Sequence, residues 1–378
     1  MRRRAALAGL AAASLALTLS GCSSLWPWSG KRKIPELAPL AENRAQLAWS
    51  VSLRGGGSGF QPAVAAGSVF AVARDGAVAR IDSATGGVIW RTVAQKGAVT
   101  GAGSDGSLTV IADRDGVLHA YDAQGRSKWS APTGAAVTSV PAVGTNLVIA
   151  RTSDNRVLAF EAETGKRRWA FSRQNPPLVL HQTASVAIDA LGAYVGLPGG
   201  RLLSLSLENG AVRWEAAVSA PRGSNEIERI ADVLGAPRLS DTEVCAATFL
   251  GRVACFEAAS GRALWSRDIE AVGGLDSDAR VLTVADDRGH VHALSRSGAA
   301  LWREESLARR RLSAPLLLGE VVVVGDASGT VHLLARADGR RVGRLATDGS
   351  AIVAQPVRVG ELAVVQTSAG ALFAIGVR

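Results

Sequence analysis

The chain has 378 residues, of which 47% are hydrophobic, 20% are charged and 42 are glycine, with a net charge of +9. This composition is typical of a globular protein with a sizeable core and excludes a disordered chain. The glycines follow no triplet period, which excludes collagen. The basic surplus is diffuse, and three of the basic residues lie within the first four positions, so we expect no nucleic-acid partner.

The N-terminus has the features of an export signal. Three arginines at positions 2–4 precede an apolar stretch over residues 5–19, and Leu-Ser-Gly-Cys follows at residues 19–22. An apolar segment of this length, ended by small residues, indicates a cleaved signal peptide rather than a spanning helix. The final cysteine is similar to that of the bacterial lipobox, where the thiol is acylated and becomes the new N-terminus. We assign residues 1–21 to the signal peptide and lipidation to Cys22; the alternative is a plain secretory signal with an incidental cysteine.

Residues 22–44 are predicted to form a lipidated tether, because they combine three prolines with a basic Lys-Arg-Lys run at positions 31–33. The serine after Cys22 implies, by resemblance to other lipoproteins, sorting to the outer membrane. Several acyl chains, palmitate among them, anchor firmly because each buried methylene contributes about 0.8 kcal/mol. We therefore expect a periplasm-facing domain that is held on the outer membrane by its N-terminal lipid.

The remainder of the chain is an internal repeat. Seven of the nine tryptophans are spaced by about 40 residues: Trp49, Trp90, Trp129, Trp169, Trp214, Trp265 and Trp302. All but the first have a glycine four residues earlier: Gly86, Gly125, Gly165, Gly210, Gly261 and Gly298. Gly339 continues the series, and Gly343 stands where an eighth tryptophan would be. The spacing predicts eight equivalent units.

Each unit has the pattern of four short strands. In the first full unit, alternating segments at residues 62–65, 68–72 and 78–82 precede the strand of Trp90, with turn residues between them. A repeated four-stranded meander of this length is typical of a β-propeller blade. The chain ends with a third strand at 371–375 and begins, after the tether, with a fourth strand at 46–51. Pairing these two would close the ring and remove both exposed edges.

We thus predict an all-β fold over residues 45–378, an eight-bladed β-propeller of four-stranded antiparallel blades. The tryptophans are expected to pack between neighbouring blades, each with its indole N–H near a backbone acceptor.

The repeat also raises the question of whether the chain is an enzyme. Its best copy, residues 159–169, resembles the tryptophan-docking repeat of quinoprotein alcohol dehydrogenases, which bind pyrroloquinoline quinone (PQQ) and calcium. The chain has no adjacent cysteine pair and no Cys-x-x-Cys-His haem motif, and it is much shorter than those enzymes. We predict no catalytic residues, no cofactor and no metal. A PQQ-dependent dehydrogenase-like enzyme and a ligand-binding propeller are the alternatives.

Two further motifs are interpreted as structural. The Gly-x-Gly-x-x-Gly string at residues 101–106 is followed by a strand, whereas a dinucleotide site needs a helix there. His290 and His292 lie on one face of a strand, but no third metal ligand is visible in the sequence, so we interpret them as surface histidines.

Cys245 and Cys255 lie on successive strands of one blade. A three-residue turn at 249–251, with Gly251 left-handed, would place them opposite one another and allow a disulfide in an oxidising compartment. A two-residue turn would offset them and forbid it, so the sequence leaves both states open.

The two longest gaps between tryptophans follow Trp169 and Trp214. In the second gap, Asn225 and Glu228 resemble a capping box, and apolar residues at 227, 230 and 234 have helical spacing, which predicts a short helix. Long loops on a rigid scaffold commonly carry binding functions, although longer surface loops without a function are the alternative.

The lipobox, the tether, the eight repeats and the segment at 223–233 together resemble the BamB family, lipoproteins of the outer-membrane β-barrel assembly (BAM) machinery. The resemblance covers essentially the whole chain. It implies a non-enzymatic scaffold that binds the periplasmic (POTRA) domains of BamA, works with other BAM subunits, and assists insertion of β-barrel proteins. It assigns partner binding to residues in neighbouring loops of the fourth and fifth blades: Leu178, Leu180, His181, Arg229 and Asp232. His181 replaces an expected arginine, and Leu234 an expected second acid.

Overall fold

The computed structural model of the chain describes Ile34 and residues 36–53, 60–174, 178–180, 185–221, 224 and 230–378. The chain divides into two compact units, Met1–Pro35 and Glu36–Arg378, and the fold given below is that of the second. The signal peptide and Cys22 lie outside the described residues. None of the described residues belongs to a helix long and apolar enough to cross a membrane.

The described residues form eight antiparallel sheets of four strands each, as the repeat predicts. Strand β1 (Ala45–Ser52) stands apart from its blade in the sequence. The first four blades are β2 (Ala63–Ala65), β3 (Ser68–Val72), β4 (Ala77–Asp82) and β5 (Val88–Val93); β6 (Gly103–Ser104), β7 (Leu108–Ala112), β8 (Val117–Asp122) and β9 (Ser127–Pro132); β10 (Ala142–Gly144), β11 (Leu147–Arg151), β12 (Arg156–Glu161) and β13 (Arg167–Ser172); and β14 (Ala187–Ile188), β15 (Ala193–Leu197), β16 (Arg201–Leu205) and β17 (Val212–Ala217).

The second half of the ring continues in the same order. Blades 5 to 8 are β18 (Val233–Leu239), β19 (Glu243–Thr248), β20 (Arg252–Glu257) and β21 (Ala263–Asp268); β22 (Ala271–Ser277), β23 (Val281–Asp286), β24 (Val291–Ser295) and β25 (Ala300–Glu304); β26 (Leu316–Leu318), β27 (Val321–Gly325), β28 (Thr330–Ala335) and β29 (Arg341–Ala346); and β30 (Val357–Val359), β31 (Leu362–Gln366) and β32 (Ala371–Val377) with β1. Each first strand contacts the first strand of the next blade, and β30 contacts β2. The ring is therefore closed.

Closure occurs as the sequence predicts. Strand β1 pairs antiparallel with β32, with Ser50 opposite Phe373 and Val51 opposite Leu372, and one register shift lies between Leu47 and Trp49. This pairing gives the eighth blade its fourth strand and leaves neither end of the ring as an open edge.

The core lies between the blades. The second strands β3, β7, β11, β15 and β27 are buried at every residue, because both faces of a blade are covered by its neighbours. A typical cluster joins Tyr194 and Trp214 of blade 4 to Val244 and Phe256 of blade 5. The outer strands β21 and β25 are exposed apart from a few partly buried residues, among them Trp265 and Trp302.

The tryptophans dock across the blade boundaries, as predicted. The indole N–H of Trp169 donates to the carbonyl oxygen of Leu207 in the next blade at 2.9 Å. All seven make the equivalent bond, at 2.7–3.0 Å. The repeat glycine of the next blade lies against each ring; a Cβ on Gly210 would be 2.6 Å from Trp169 Cε3.

The missing eighth tryptophan has a structural reason. The fourth strand of blade 8 is β1, which enters from outside the blade and has no preceding Thr-Gly turn on which a ring could dock. Instead the backbone at Ala45 fits against Gly343, where an added Cβ would meet the Ala45 nitrogen at 2.9 Å. Asn43 is bonded to both the N–H and the carbonyl of Arg344, at 2.9 and 3.0 Å. The end of the predicted tether is thus attached to blade 7.

Candidate functional site

The site lies where two long connections meet. Residues 173–186 lead from β13 to β14, and residues 218–232 lead from β17 to β18, whereas the other blades are joined by shorter segments such as 94–102 and 133–141. Both long connections leave an outer strand and enter the first strand of the next blade. Their ends therefore lie on the same face of the ring as the turns between second and third strands.

Asp232 connects these loops. Its side chain is buried, and Oδ2 accepts a hydrogen bond from the Leu180 N–H at 2.6 Å while Oδ1 accepts one from the Gly199 N–H at 3.1 Å. The Asp232 carbonyl oxygen accepts the N–H of Phe249 at 2.8 Å. One residue therefore joins the first long loop, the β15–β16 turn and the β19–β20 turn.

A buried arginine balances this carboxylate. Arg151 donates from Nη1 to the carbonyl oxygen of Gly196 at 2.9 Å and from Nη2 to Asn155 Oδ1 at 3.3 Å. Burial lowers the pKa of Arg151 to about 10, and the nearby charge of Asp232 acts in the opposite direction. At neutral pH the guanidinium stays charged, so Asp232 is held as part of an internal network.

The two predicted leucines differ in their environment. Leu178 is 42% exposed, whereas Leu180 is partly buried against the cluster that holds Leu234 and Phe249. We define the loop surface as Leu178, Leu180 and Asp232 together with Leu250. His181 and Arg229, the other predicted contacts, lie outside the described residues.

Leu250 is the residue that the sequence analysis missed. It lies at the tip of the β19–β20 turn, is 49% exposed and has a φ of +44°. An exposed, bulky residue in the left-handed region is an outlier that indicates a functional constraint. The sequence did contain a signal for Leu250. Its turn has the apolar pair Phe-Leu at residues 249–250, whereas the equivalent turn of blade 1 has the charged pair Arg-Asp.

Two expectations for this region need correction. Leu234, predicted to continue a helix, lies in strand β18 and is buried in the core; an acid in its place would be buried without water, which explains an apolar residue there. In the β19–β20 turn the left-handed residue is Leu250 rather than Gly251. The rest of the predicted helix, residues 225–229, lies outside the described residues.

The three-residue turn itself is confirmed. Cys245 lies directly opposite Cys255 in the register of β19 and β20, and the two form a disulfide with a Cα–Cα distance of 4.1 Å. Both cysteines are fully buried and belong to the cluster on which Leu180 packs. The disulfide therefore cross-links the two strands beneath the loop surface.

The glycine string at 101–106 is part of a blade, as interpreted from the sequence. Gly103 begins β6, and β7 follows it, so no helix N-terminus faces the turn and phosphate binding of the dinucleotide type has no basis there.

The geometry defines a class: an eight-bladed propeller built on tryptophan-docking repeats, with Leu178 and Leu250 exposed among its connections. Residues 35–105, 74–304 and 287–378 match the family profile described as outer membrane protein assembly factor BamB. The chain belongs to this family.

Individual relatives agree with this assignment. The BamB protein of Bordetella pertussis is 39% identical over 95% of this chain and 94% of its own length. That of Burkholderia pseudomallei is also 39% identical, over 97% of both. The structure of BamB from Moraxella catarrhalis superimposes with a TM-score of 0.81 at 26% identity, covering 88% of this chain and 99% of that one.

The dehydrogenase alternative is not supported. Quinohemoprotein alcohol dehydrogenase from Comamonas testosteroni superimposes with a TM-score of 0.67 at 15% identity, over 88% of this chain and 76% of the enzyme. A likeness at this level shows the propeller fold alone. The family of this chain consists of assembly factors, and the chain is a non-enzymatic member of it.

Proposed function

We propose that this chain is a lipid-anchored scaffold of the BAM machinery that faces the periplasm and binds the POTRA domains of BamA through the loop surface. In this proposal residues 1–21 are removed as a signal peptide, Cys22 carries the lipid, residues 22–44 form the tether and residues 45–378 the propeller. The observation that carries the proposal is Leu178, an apolar side chain exposed on a loop that is held by the buried Asp232.

The physical basis is preorganisation. A loop that is already fixed loses little conformational entropy on binding, so more of the free energy of apolar burial appears as affinity. Leu178 and Leu250 supply the exposed apolar area, and Asp232 together with the packing of Leu180 supplies the rigidity. In this account Asp232 positions the contact, and His181 and Arg229 add its polar part.

The membrane part of the proposal is tested at the cysteine. Cys22→Ala removes the acylated thiol, and we expect the propeller to leave the outer-membrane fraction for the soluble periplasmic fraction. The parent protein should show acyl chains by intact-mass spectrometry. A parent without acyl chains, together with a variant that stays in the outer membrane after a salt wash, contradicts lipid anchoring.

The partner part is tested at the leucines. Leu178→Ala should weaken binding to purified BamA POTRA domains by about ten- to a hundredfold, equivalent to about 1–3 kcal/mol, because it removes an apolar anchor. Its melting temperature should stay unchanged, because the side chain is exposed. Leu180→Ala should lower the melting temperature, because that side chain packs on the core cluster.

The matched control is Leu191→Ala. Leu191 lies in the β14–β15 turn and is 43% exposed, nearly the same as Leu178. We expect this variant to bind like the parent. Equal binding by parent and Leu178→Ala, or an equal loss in Leu178→Ala and Leu191→Ala, contradicts the loop surface as the POTRA contact.

A further inference from the structure

Blade 6 contains a cluster of titratable side chains that the scaffold role does not use. Its basis is a repeated aspartate–histidine pair, in which a carboxylate at the end of one strand contacts an imidazole six residues later. The pair occurs in three blades: Asp113 Oδ2 with His119 Nε2 at 2.8 Å, Asp286 Oδ2 with His292 Nε2 at 2.8 Å, and Asp326 Oδ2 with His332 Nε2 at 2.9 Å. An aspartate–histidine pair without a second histidine is therefore a structural feature of the repeat.

Blade 6 adds a second imidazole. His290 follows Asp286 by four residues, and its Nδ1 lies 3.1 Å from the same Oδ2 atom. The equivalent position is Val117 in blade 2 and Thr330 in blade 7. Three donor atoms, one carboxylate oxygen and two imidazole nitrogens, thus lie within 4.8 Å of one another. Asp286 supplies the third donor atom, which the sequence analysis did not identify.

The backbone holds these donors in place. Asp286 Oδ1 accepts the N–H groups of Arg288 and His290 at 3.0 and 2.8 Å, which directs Oδ2 toward both rings. Metal bonds of about 2.0–2.2 Å at tetrahedral or octahedral angles place two ligands roughly 3.0–3.5 Å apart. The observed separations of 2.8 and 3.1 Å are close to this range. Coordination would replace the two hydrogen bonds, and the Asp286 carboxylate would turn so that the ion could occupy the point where both imidazole nitrogens now converge.

The site has room for an ion and a water molecule. It opens into a cleft of about 410 Å³, and the side chains of His290 and His292 are 15% and 17% exposed. The equivalent site of blade 7 is closed: the side chain of His332 is 1% exposed, and Arg310 Nη1 lies 3.5 Å from Asp326 Oδ2.

The surrounding charges are compatible with a cation. Three arginines line the cleft, of which Arg252 pairs with Asp268 (Nε–Oδ1 2.6 Å) and Arg303 pairs with Glu305. The third, Arg288, follows Asp286 by two residues and takes part in none of the ion pairs among the described residues. Glu270 also lines it. The pairing of Arg252 and Arg303 limits the repulsion that a divalent ion would meet, which leaves Arg288 as the main opposing charge.

We propose that Asp286, His290 and His292 form a binding site for a divalent transition-metal ion of the zinc class, with water as the remaining ligand. Two imidazoles and one carboxylate are a ligand set that zinc binds in proteins, and three protein ligands leave one tetrahedral position open. Calcium and magnesium prefer all-oxygen sites. None of these three ligands is assigned to the BamA contact, although Leu250 of the loop surface also lines the cleft.

The test measures zinc binding to the full-length, tag-free chain in detergent, after removal of metal with EDTA. We expect one zinc ion per chain by equilibrium dialysis and a melting temperature that rises with zinc but not with magnesium. His290→Thr should weaken zinc binding by about 10- to 100-fold or more, because a loss of this size is typical even for residues that only orient a metal ligand. Without metal it should melt like the parent, because blade 7 has threonine at that position.

The controls are His119→Ala, which breaks an aspartate–histidine pair that lacks the second imidazole, and His181→Ala. Both should bind zinc as the parent does. A parent that binds no zinc, or a His290→Thr variant that binds it with the parent's affinity, overturns the proposal. So does a loss of binding in His119→Ala, because it would place the ion in another blade.

Discussion

At the scale of single residues, the fold depends on contacts between one tryptophan and one glycine of the next blade. Gly210 and Gly67 both have a positive φ, of 74° and 65°, but only Gly210 faces a ring; nothing lies within 4 Å of a Cβ on Gly67. The two positions therefore separate the cost of backbone strain from the cost of lost docking.

We expect Gly67→Ala to lower the free energy of unfolding by about 1–2 kcal/mol, the cost of a left-handed L-residue. Gly210→Ala should cost this amount plus about 1–3 kcal/mol, because its methyl group would displace the indole of Trp169. Urea denaturation of both variants measures the difference. Equal losses would show that the glycine is required only for its φ.

A second prediction at this scale concerns the buried Asp326. Burial raises the pKa of this carboxyl, but hydrogen bonds from His332, Ser328 and the Thr330 N–H outweigh burial and bring the pKa to about 2. In the unfolded chain the value is about 3.9. The group therefore stabilises the fold by about 2–3 kcal/mol above pH 4, and this contribution is lost as the pH falls from about 4 to about 2.

Asp326→Asn should remove that dependence. The variant should be less stable than the parent at pH 5, because His332 and Arg310 lose a buried partner. The difference in unfolding free energy should shrink by about 2–3 kcal/mol between pH 5 and pH 2. Urea unfolding at several pH values measures it, with the exposed Asp338→Asn as the control. A difference that is constant with pH contradicts the depressed pKa of Asp326.

At the scale of elements, the strands were predictable and the loop surface only in part. A period of two and a glycine at each turn are local signals that every blade repeats, so β1 and β32 could be paired from the sequence. The burial of Leu180 and Asp232 depends on contacts between residues about 50 positions apart, which no local pattern encodes. Leu234 shows the same limit, because its helical spacing was overridden by strand pairing with β19.

The β19–β20 hairpin carries its own prediction. Because Cys245 and Cys255 are fully buried, the folded protein should resist reduction. Replacing both with alanine should lower the free energy of unfolding by about 2–3 kcal/mol, the loop-closure value for a short loop. In a Cys22→Ala background, the denatured, unreduced protein should show no free thiol and the reduced protein two. Two thiols without reductant would contradict the disulfide.

At the scale of the whole molecule, one strand holds the ring closed. Seven blades are continuous in sequence, but β1 reaches blade 8 from the other end of the chain. It is held by its pairing with β32 and by Trp49, whose ring lies against Gly86 and whose N–H donates to the Ser83 carbonyl oxygen at 2.9 Å. No turn connects β1 to β32. The strand β1 could therefore detach while the other strands keep their connections.

This asymmetry predicts different behaviour for two similar substitutions. Trp49→Ala and Trp302→Ala should each cost about 3–5 kcal/mol, because each removes a docked indole. Trp49→Ala should in addition allow β1 to detach, so that the amides of β32 exchange hydrogen faster than the rest of the ring. The exposed edge of β32 should also promote association between molecules. In Trp302→Ala the turns of blade 6 keep β25 in place. The amides of blade 6 should therefore still exchange hydrogen only when the whole protein unfolds. Hydrogen-exchange mass spectrometry distinguishes the two, and identical exchange patterns would mean that β1 is no weaker than any other outer strand.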